Sequence, residues 1–416
     1  MATKIPKIRF SRFDAAWEQC ELGSLAEVTK LAGFEFTKYV NYSDNGTIIA
    51  LRGLNIKEGL LDLKDVKYID GSDLSKLARS KLFVDDIVFT YVGTVGEVAL
   101  IPQNDRFYLA PNVARIRINK PLSSAFLACQ LGSPFFYQRI IFPLIATSSQ
   151  PALSMQNIRK FNLGLPQLEE QEKIASLFAQ IGNVITLHQK KLKHFKNLKE
   201  SLLQNMFPRE GEIFPRLRFP EFTDAWEQRK LGELGETRSG IGFPEREQGG
   251  KEGLPFYKVS DMNLPGNESI MVKANNYVTA DQIASNKWFP ITKVPAILFA
   301  KVGAAVLLNR KRLCGTPFLL DNNTMSYSLD PSIWVTNFAH ALFETLDLTQ
   351  LVQVGALPSY GKKDVEAIHI SIPTLPEQEK IGNLFYLLEN AIALHQRKLA
   401  QLKKLKTCLF NNLFVN

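Results

Sequence analysis

Five histidines, four cysteines and one glycine-lysine run are the residues of this chain with the clearest catalytic potential, and their spacing supplies none of them with a partner. His188, His194, His340, His369 and His395 form no ligand cluster and neighbour no nucleophile in the sequence. Cys20, Cys129, Cys314 and Cys408 are too far apart for metal-ligand spacing or a disulfide framework, and read as small buried hydrophobes. The run from Gly355 to Gly361-Lys362-Lys363 has one residue too many for a phosphate loop and lacks its Ser or Thr. It reads as a turn before a helix. There is no Asn-Pro-Pro-Tyr run, no glycine-rich loop opening a βαβ unit, and no Pro-Asp with a following Glu-x-Lys. The chain is expected to bind rather than to catalyse, with no metal and no cofactor of its own.

Its charge suggests what it binds. A net charge of +9 favours an anionic partner, of which nucleic acid is the commonest. The excess is uneven: residues 1–165 carry 20 basic against 15 acidic groups, and residues 208–373 carry 18 against 19. Charge alone therefore does not establish the partner. Individual candidates come from strand patterns. In Ala114-Arg115-Ile116-Arg117-Ile118 the arginines share one face, and Met325-Ser326-Tyr327-Ser328-Leu329 is the corresponding stretch with serines in their place. Tyr91 corresponds to Lys301, and Arg52 to Lys258. The run Asn309-Arg310-Lys311-Arg312, in a nearly neutral region, is a candidate for phosphate contact. Ser148 and Gln150 in one loop, and Tyr360 in another, complete the set.

These correspondences exist because the chain is one half written twice. Residues 6–23 recur at an offset of 209 with 10 of 18 positions identical, including Ala16-Trp17-Glu18-Gln19 and Ala225-Trp226-Glu227-Gln228. Residues 166–207 recur at an offset of 207 with 22 of 42 identical, opening Glu170-Gln171-Glu172-Lys173-Ile174 and Glu377-Gln378-Glu379-Lys380-Ile381. Between these blocks only a frame survives, such as Phe89 to Gly93 against Phe299 to Gly303. Trp17 and Trp226, kept in both copies, are expected to pack each arm onto its domain.

The second repeated block carries a heptad seam: Ile174, Ile181, His188, Phe195 and Leu202 in one copy, Ile381, Leu388, His395, Leu402 and Leu409 in the other. Each copy starts acidic (Glu169, Glu170, Glu172; Glu377, Glu379) and ends basic (Lys193, Lys196, Lys199; Lys403, Lys404, Lys406), so antiparallel packing sets unlike charges side by side. His188 and His395 fall near the middles of their helices and are expected to approach each other across a pseudo-two-fold axis.

The twin arms with Ala-Trp-Glu-Gln and a nearby Leu-Gly (Leu22-Gly23; Leu231-Gly232), and the twin helices opening with Pro and then Glu-Gln-Glu-Lys-Ile, resemble the specificity subunits of type I restriction-modification systems. The resemblance covers the whole chain. It implies an α+β fold with two target recognition domains related by pseudo-two-fold symmetry and connected by two long antiparallel coiled-coil-like helices. The expected order is an arm at 1–19, a recognition domain at 20–165, a helix at 166–207, a second arm at 208–228, a second domain at 229–372 and a second helix at 373–416. It further implies that each domain reads one half of a bipartite site on double-stranded DNA, with the helices as spacer and docking surface. Two methyltransferase subunits would bring S-adenosylmethionine, and translocase-nuclease subunits would bring ATP and Mg. A specificity subunit of a differently organised methyltransferase-nuclease, an enzyme with an unrecognised site, and a coiled-coil scaffold without a DNA role are the alternatives. Neither a signal peptide nor an apolar span is read in the sequence, so a cytoplasmic protein without a membrane role is expected.

Overall fold

The computed structural model describes residues 5–146, 150–352 and 358–415. It divides into two compact units, one of residues 1–188 with 398–416 and the other of residues 189–397.

The first unit is built on a four-stranded antiparallel sheet in the order Ala26–Lys30, Val113–Ile118, Ile87–Thr90, Val98–Leu100. Ile87, Phe89, Ala114 and Ile116 put one face of it into the core, against Leu127 and Leu131 of the helix Ser124–Leu131 and against Phe161. A smaller sheet follows, with Ile49–Leu51 between Lys67–Tyr68 and Phe107–Leu109. It carries a second core that includes Leu51, Leu82, Val88 and Leu109. Strand Glu18–Glu21 pairs with Asn162–Leu165 and closes the domain.

The second unit repeats this plan, except that the short first-unit pair Ile56–Lys57 and Leu60–Leu61 has no counterpart among its described residues. Its four-stranded sheet runs Gly235–Ser239, Thr324–Leu329, Ala296–Ala300, Lys311–Cys314, and its small sheet sets Leu254–Tyr257 between Tyr277–Val278 and Leu319–Leu320. Strand Glu227–Lys230 pairs with His369–Ile372. The expected arm boundaries at 19/20 and 228/229 therefore fall inside the two closing strands.

The repeated motifs follow from what their side chains hold. Two long helices span Leu168–Met206 and Leu375–Leu413. At the start of the first, buried Glu170 accepts both Nε and Nη2 of Arg9 at 2.7 Å, which fastens the arm to the helix. Gln171 donates to the Pro166 carbonyl and accepts the Ser123 amide, and Ile174 enters the core. Arg218, Glu377, Gln378 and Ile381 do the same in the second unit: Gln378 donates to Pro373 and accepts the Val335 amide. The tryptophans take the expected structural place. Trp17 packs edge-on to Phe126 and Phe414, and Trp226 edge-on to Phe207 and Phe338. Each arm also pairs with a helix end, Ile8 donating to the Asn412 carbonyl and Leu217 to that of Asn205.

The helices pack antiparallel, because residue numbers fall along one as they rise along the other. In the first unit Phe178 stacks on Phe410 with ring centroids 4.2 Å apart. In the second, Phe195 stacks on His395 at 5.5 Å and Lys199 reaches Glu389. The seam residues Ile174, Ile181, Ile381 and Leu388 are buried, while His188, Phe195, Leu202, His395, Leu402 and Leu409 are half-buried. His188 and His395 belong to different units.

Candidate nucleic-acid interface

Strand Val113–Ile118 was expected to turn Arg115 and Arg117 to solvent; the structure covers Arg115 and leaves Arg117 partly exposed. Arg115 is 3% exposed. Its Nη1 donates to the carbonyls of Arg79 and Lys81 and its Nη2 to Glu27, while burial presses its pKa down. Arg117 is held by both oxygens of buried Asp86, a bond that raises its pKa. In the second domain the same face carries Ser326 and Ser328, both buried. Alternation correctly put the two arginines on one face; it could not show that another layer lies over it.

At the head of the small sheets, Arg52 bonds Asp65 and its carbonyl, and half-buried Lys258 donates to Gln248. Their backbones do the same work, each amide donating to the side chain three residues on, Asn55 or Asp261. Tyr91 is 9% exposed, with its ring beneath Lys30, and the corresponding Lys301 is half-buried.

The basic run at 310–312 also turns inward. Lys311 is 4% exposed; it donates to Asn309 Oδ1 and to the Leu346 carbonyl, and burial pushes its pKa down to about 8. Burial and repulsion from Arg310 likewise lower Arg312. Arg310, which donates to Asn263, and Arg312 stay partly exposed. An unexpected set of charges lies in the same unit. Lys199 Nζ bonds Glu344 at 2.6 Å and Glu389 at 2.9 Å, Ser269 donates to Glu389, and His340 Nδ1 lies 3.6 Å from Glu389. Burial would lower Lys199, but the two carboxylates hold it above its ordinary value. Burial would raise Glu389, yet His340 and Lys199 hold it below.

The histidines were expected to join no ligand cluster. Three ligand-type groups, His340, Glu344 and Glu389, do come within 4.8 Å of one another, because distant segments converge there. The Lys199 ammonium already bonds both carboxylates, which makes this a structural ion-pair network. Burial pushes the Cys314 and Cys129 thiols up, away from nucleophilic use.

The two loops expected to face DNA are pinned in the same way in both copies. Gly93, at φ 79°, donates to the Pro151 carbonyl, and Gly303, at φ 82°, to that of Pro358. Gln150 is exposed beside Gly93, whereas Tyr360 is buried and donates its hydroxyl to the Ala300 carbonyl. Ser148 lies outside the described residues. Sequence reading missed Phe289, the most exposed large apolar side chain among the described residues, beside Lys287 and Arg238. An exposed aromatic next to cations leaves no periodic trace in a loop.

Two divergent α+β domains on shared arms and helices, with buried charges committed to structure, define a duplicated two-domain protein. The comparisons make the class specific: residues 15–197 and 223–404 each match the family model described as type I restriction modification DNA specificity domain, and the chain belongs to that family. It is 24% identical to a putative type I restriction enzyme MjaX specificity subunit of Methanocaldococcus jannaschii, over 95% of this chain and 92% of that protein. It is 25% identical to the EcoKI specificity subunit of Escherichia coli K12 over 40% of this chain and 38% of that one. The crystal structure of a type I restriction-modification S subunit from M. genitalium superposes with a TM-score of 0.67 at 14% identity, covering 99% of both chains. A chain from a structure described as the basis of complex assembly and conformational transition of the type I system gives 0.54 at 16% identity, covering 97% of this chain and 98% of that one. No helix among the described residues is long and apolar enough to cross a membrane.

Proposed function

We infer that this chain is the DNA-sequence-specificity subunit of a type I restriction-modification enzyme, without catalysis of its own. Each recognition domain reads one half of a bipartite, asymmetric site on duplex DNA. The observation that carries this reading is the duplicated family match around two domains of one topology and different surface chemistry. Identical readers would suit a palindrome, and different ones do not require it. The long helices serve as spacer and as docking surface for two methyltransferase subunits, which bring S-adenosylmethionine; translocase-nuclease subunits bring ATP and Mg.

DNA contact is assigned to the expected positions that remain at least partly exposed: Arg52, Arg117 and Gln150 in the first domain, and Lys258, Lys301, Arg310 and Arg312 in the second. Arg115, Lys311, Tyr91 and Tyr360, committed to the interior, are left out. The reading is tested by purifying the chain with the methyltransferase subunits of its own system. Methyl transfer from labelled S-adenosylmethionine to genomic DNA is expected only when this chain is present. Equal transfer without it contradicts the role.

A further inference from the structure

Phe289 is 75% exposed, yet the backbone that carries it is tied down on both sides. Before it, the Lys287 amide donates to the Ala284 carbonyl at the end of the helix Ala280–Ser285, with Lys287 itself at φ 51°. The Trp288 ring is set against Phe256 and Phe243 at 5.2 and 5.9 Å. After it, Ile291 pairs with Phe318 through two backbone bonds. Arg238 donates to the carbonyls of Pro290 and Phe289 themselves. The ring is thus presented in solvent on a braced tip, which lowers the ordering cost of using it in recognition.

The tip borders a shallow cleft of about 120 Å³ lined by Arg238, Ser239, Gly240, Lys287 and Trp288 among others, and no Asp or Glu lines it. An exposed aromatic at a cleft that two cations also line fits a polyanion with flat apolar groups between its charges. The equivalent connection of the first domain is different. Phe83 lies under Arg117 at 4.7 Å and Lys81 at 5.4 Å, and those cations are paired with Asp86 and Asp105. Phe83, at a different position of that connection, is 38% exposed and lies against its own domain's cations, whereas Phe289 is 75% exposed.

We propose that Phe289 is a DNA-contact residue of the second recognition domain. Its ring packs against or wedges between bases of the duplex half-site read by that domain, with Lys287 and Arg238 toward the phosphates. This rests on the DNA-specificity reading and names a residue for it, in a domain whose sequence-expected Lys311 is turned inward.

The test uses the full chain assembled with its methyltransferase subunits, and a duplex carrying the site found by mapping wild-type methylation. 2-Aminopurine is placed in turn at each position of the half-site assigned to the second domain. Phe289→Ala is expected to weaken binding of that duplex roughly tenfold and to abolish a fluorescence change at one base step, while Phe289→Trp stays within about threefold of wild type. Wild-type affinity and an unchanged fluorescence profile for Phe289→Ala overturn the proposal. So does loss of methyltransferase assembly by Phe289→Ala with Phe289→Trp assembling normally, which places the ring at a protein contact. A wild-type complex that methylates no bipartite site overturns the specificity reading itself, and this proposal with it.

Discussion

Lys199 and Glu389 meet across the antiparallel helix pair of the second unit, Nζ to Oε1 at 2.9 Å, where Glu344 also bonds the same ammonium at 2.6 Å. The bridge joins both long helices to the helix Thr336–Thr345 of the recognition domain. The first copy has no such bridge, since Glu389 corresponds to Gly182 and Lys406, the counterpart of Lys199, lies over the Phe410 ring.

Removing the ammonium leaves two carboxylates poorly compensated. Lys199→Met is expected to cost about 3 kcal/mol in urea unfolding at pH 7. Replacing Lys199, Glu344 and Glu389 together by Met, Gln and Leu should cost less than the single change. Because Glu389 is held below its ordinary value of 4.5, its stabilising effect is present above that pH and is lost as pH falls through the lowered folded value. Lys199 is held above its ordinary 10.5, so its effect is intact below that pH and fades only in stronger alkali. Wild-type and Lys199→Met unfolding curves that coincide at neutral pH exclude a stabilising role.

Lys311 gives the opposite signature. Its folded pKa of about 8 lies below the ordinary 10.5, so the unfolded chain binds more protons between those values. Stability should therefore rise with pH from about 8 to 10.5, by an amount of order 3 kcal/mol. Lys311→Met is expected to remove that rise. The check is the difference between wild-type and variant unfolding free energies at pH 7 and pH 10; a constant difference rules the account out.

The arm is fastened by a bidentate pair whose acceptor, Glu170, is fully buried. Arg9→Ala is expected to release residues 5–17 to limited proteolysis, and Arg9→Lys to release them partly, since an ammonium cannot satisfy both oxygens in the same plane. An arm in Arg9→Ala as resistant to cleavage as in wild type contradicts the clamp.

Gly240 runs so close to its neighbour that an added Cβ would lie 1.8 Å from the Asp321 carbonyl oxygen. Gly240→Ala should cost about 2 kcal/mol or more in thermal or urea unfolding, whereas Gly71→Ala, with no atom within 4 Å, should cost much less.

The helices were legible in the sequence because a seven-residue repeat is local: Ile174, Ile181, Ile381 and Leu388 are buried where that period puts them. Charge at the two ends likewise gave the antiparallel direction, which Phe178 on Phe410 and Phe195 on His395 bear out. The surface was less legible. A strand's alternation tells which side chains share a face, not whether a second layer covers it, so Arg115 looked solvent-facing and is buried; a run of basic residues likewise does not show which of them turn inward, and Lys311 does. The Lys199 network joins residues up to 190 positions apart, a separation no spacing rule reaches. Arg9 with Glu170 and Arg218 with Glu377 could have been suspected, since each is a charge retained in both copies of a matched block.

The central claim is that two independent readers lie on one chain, and mapping of DNA methylation tests it most directly. The chain would be expressed with its methyltransferase subunits in a host lacking other DNA methylation, and its modified sites read by single-molecule sequencing. The predicted result is one bipartite, asymmetric motif; replacing residues 22–163 with the corresponding domain of another family member should change one half of it and leave the other intact. A swap that alters both halves together, or a motif that is not bipartite, contradicts the account.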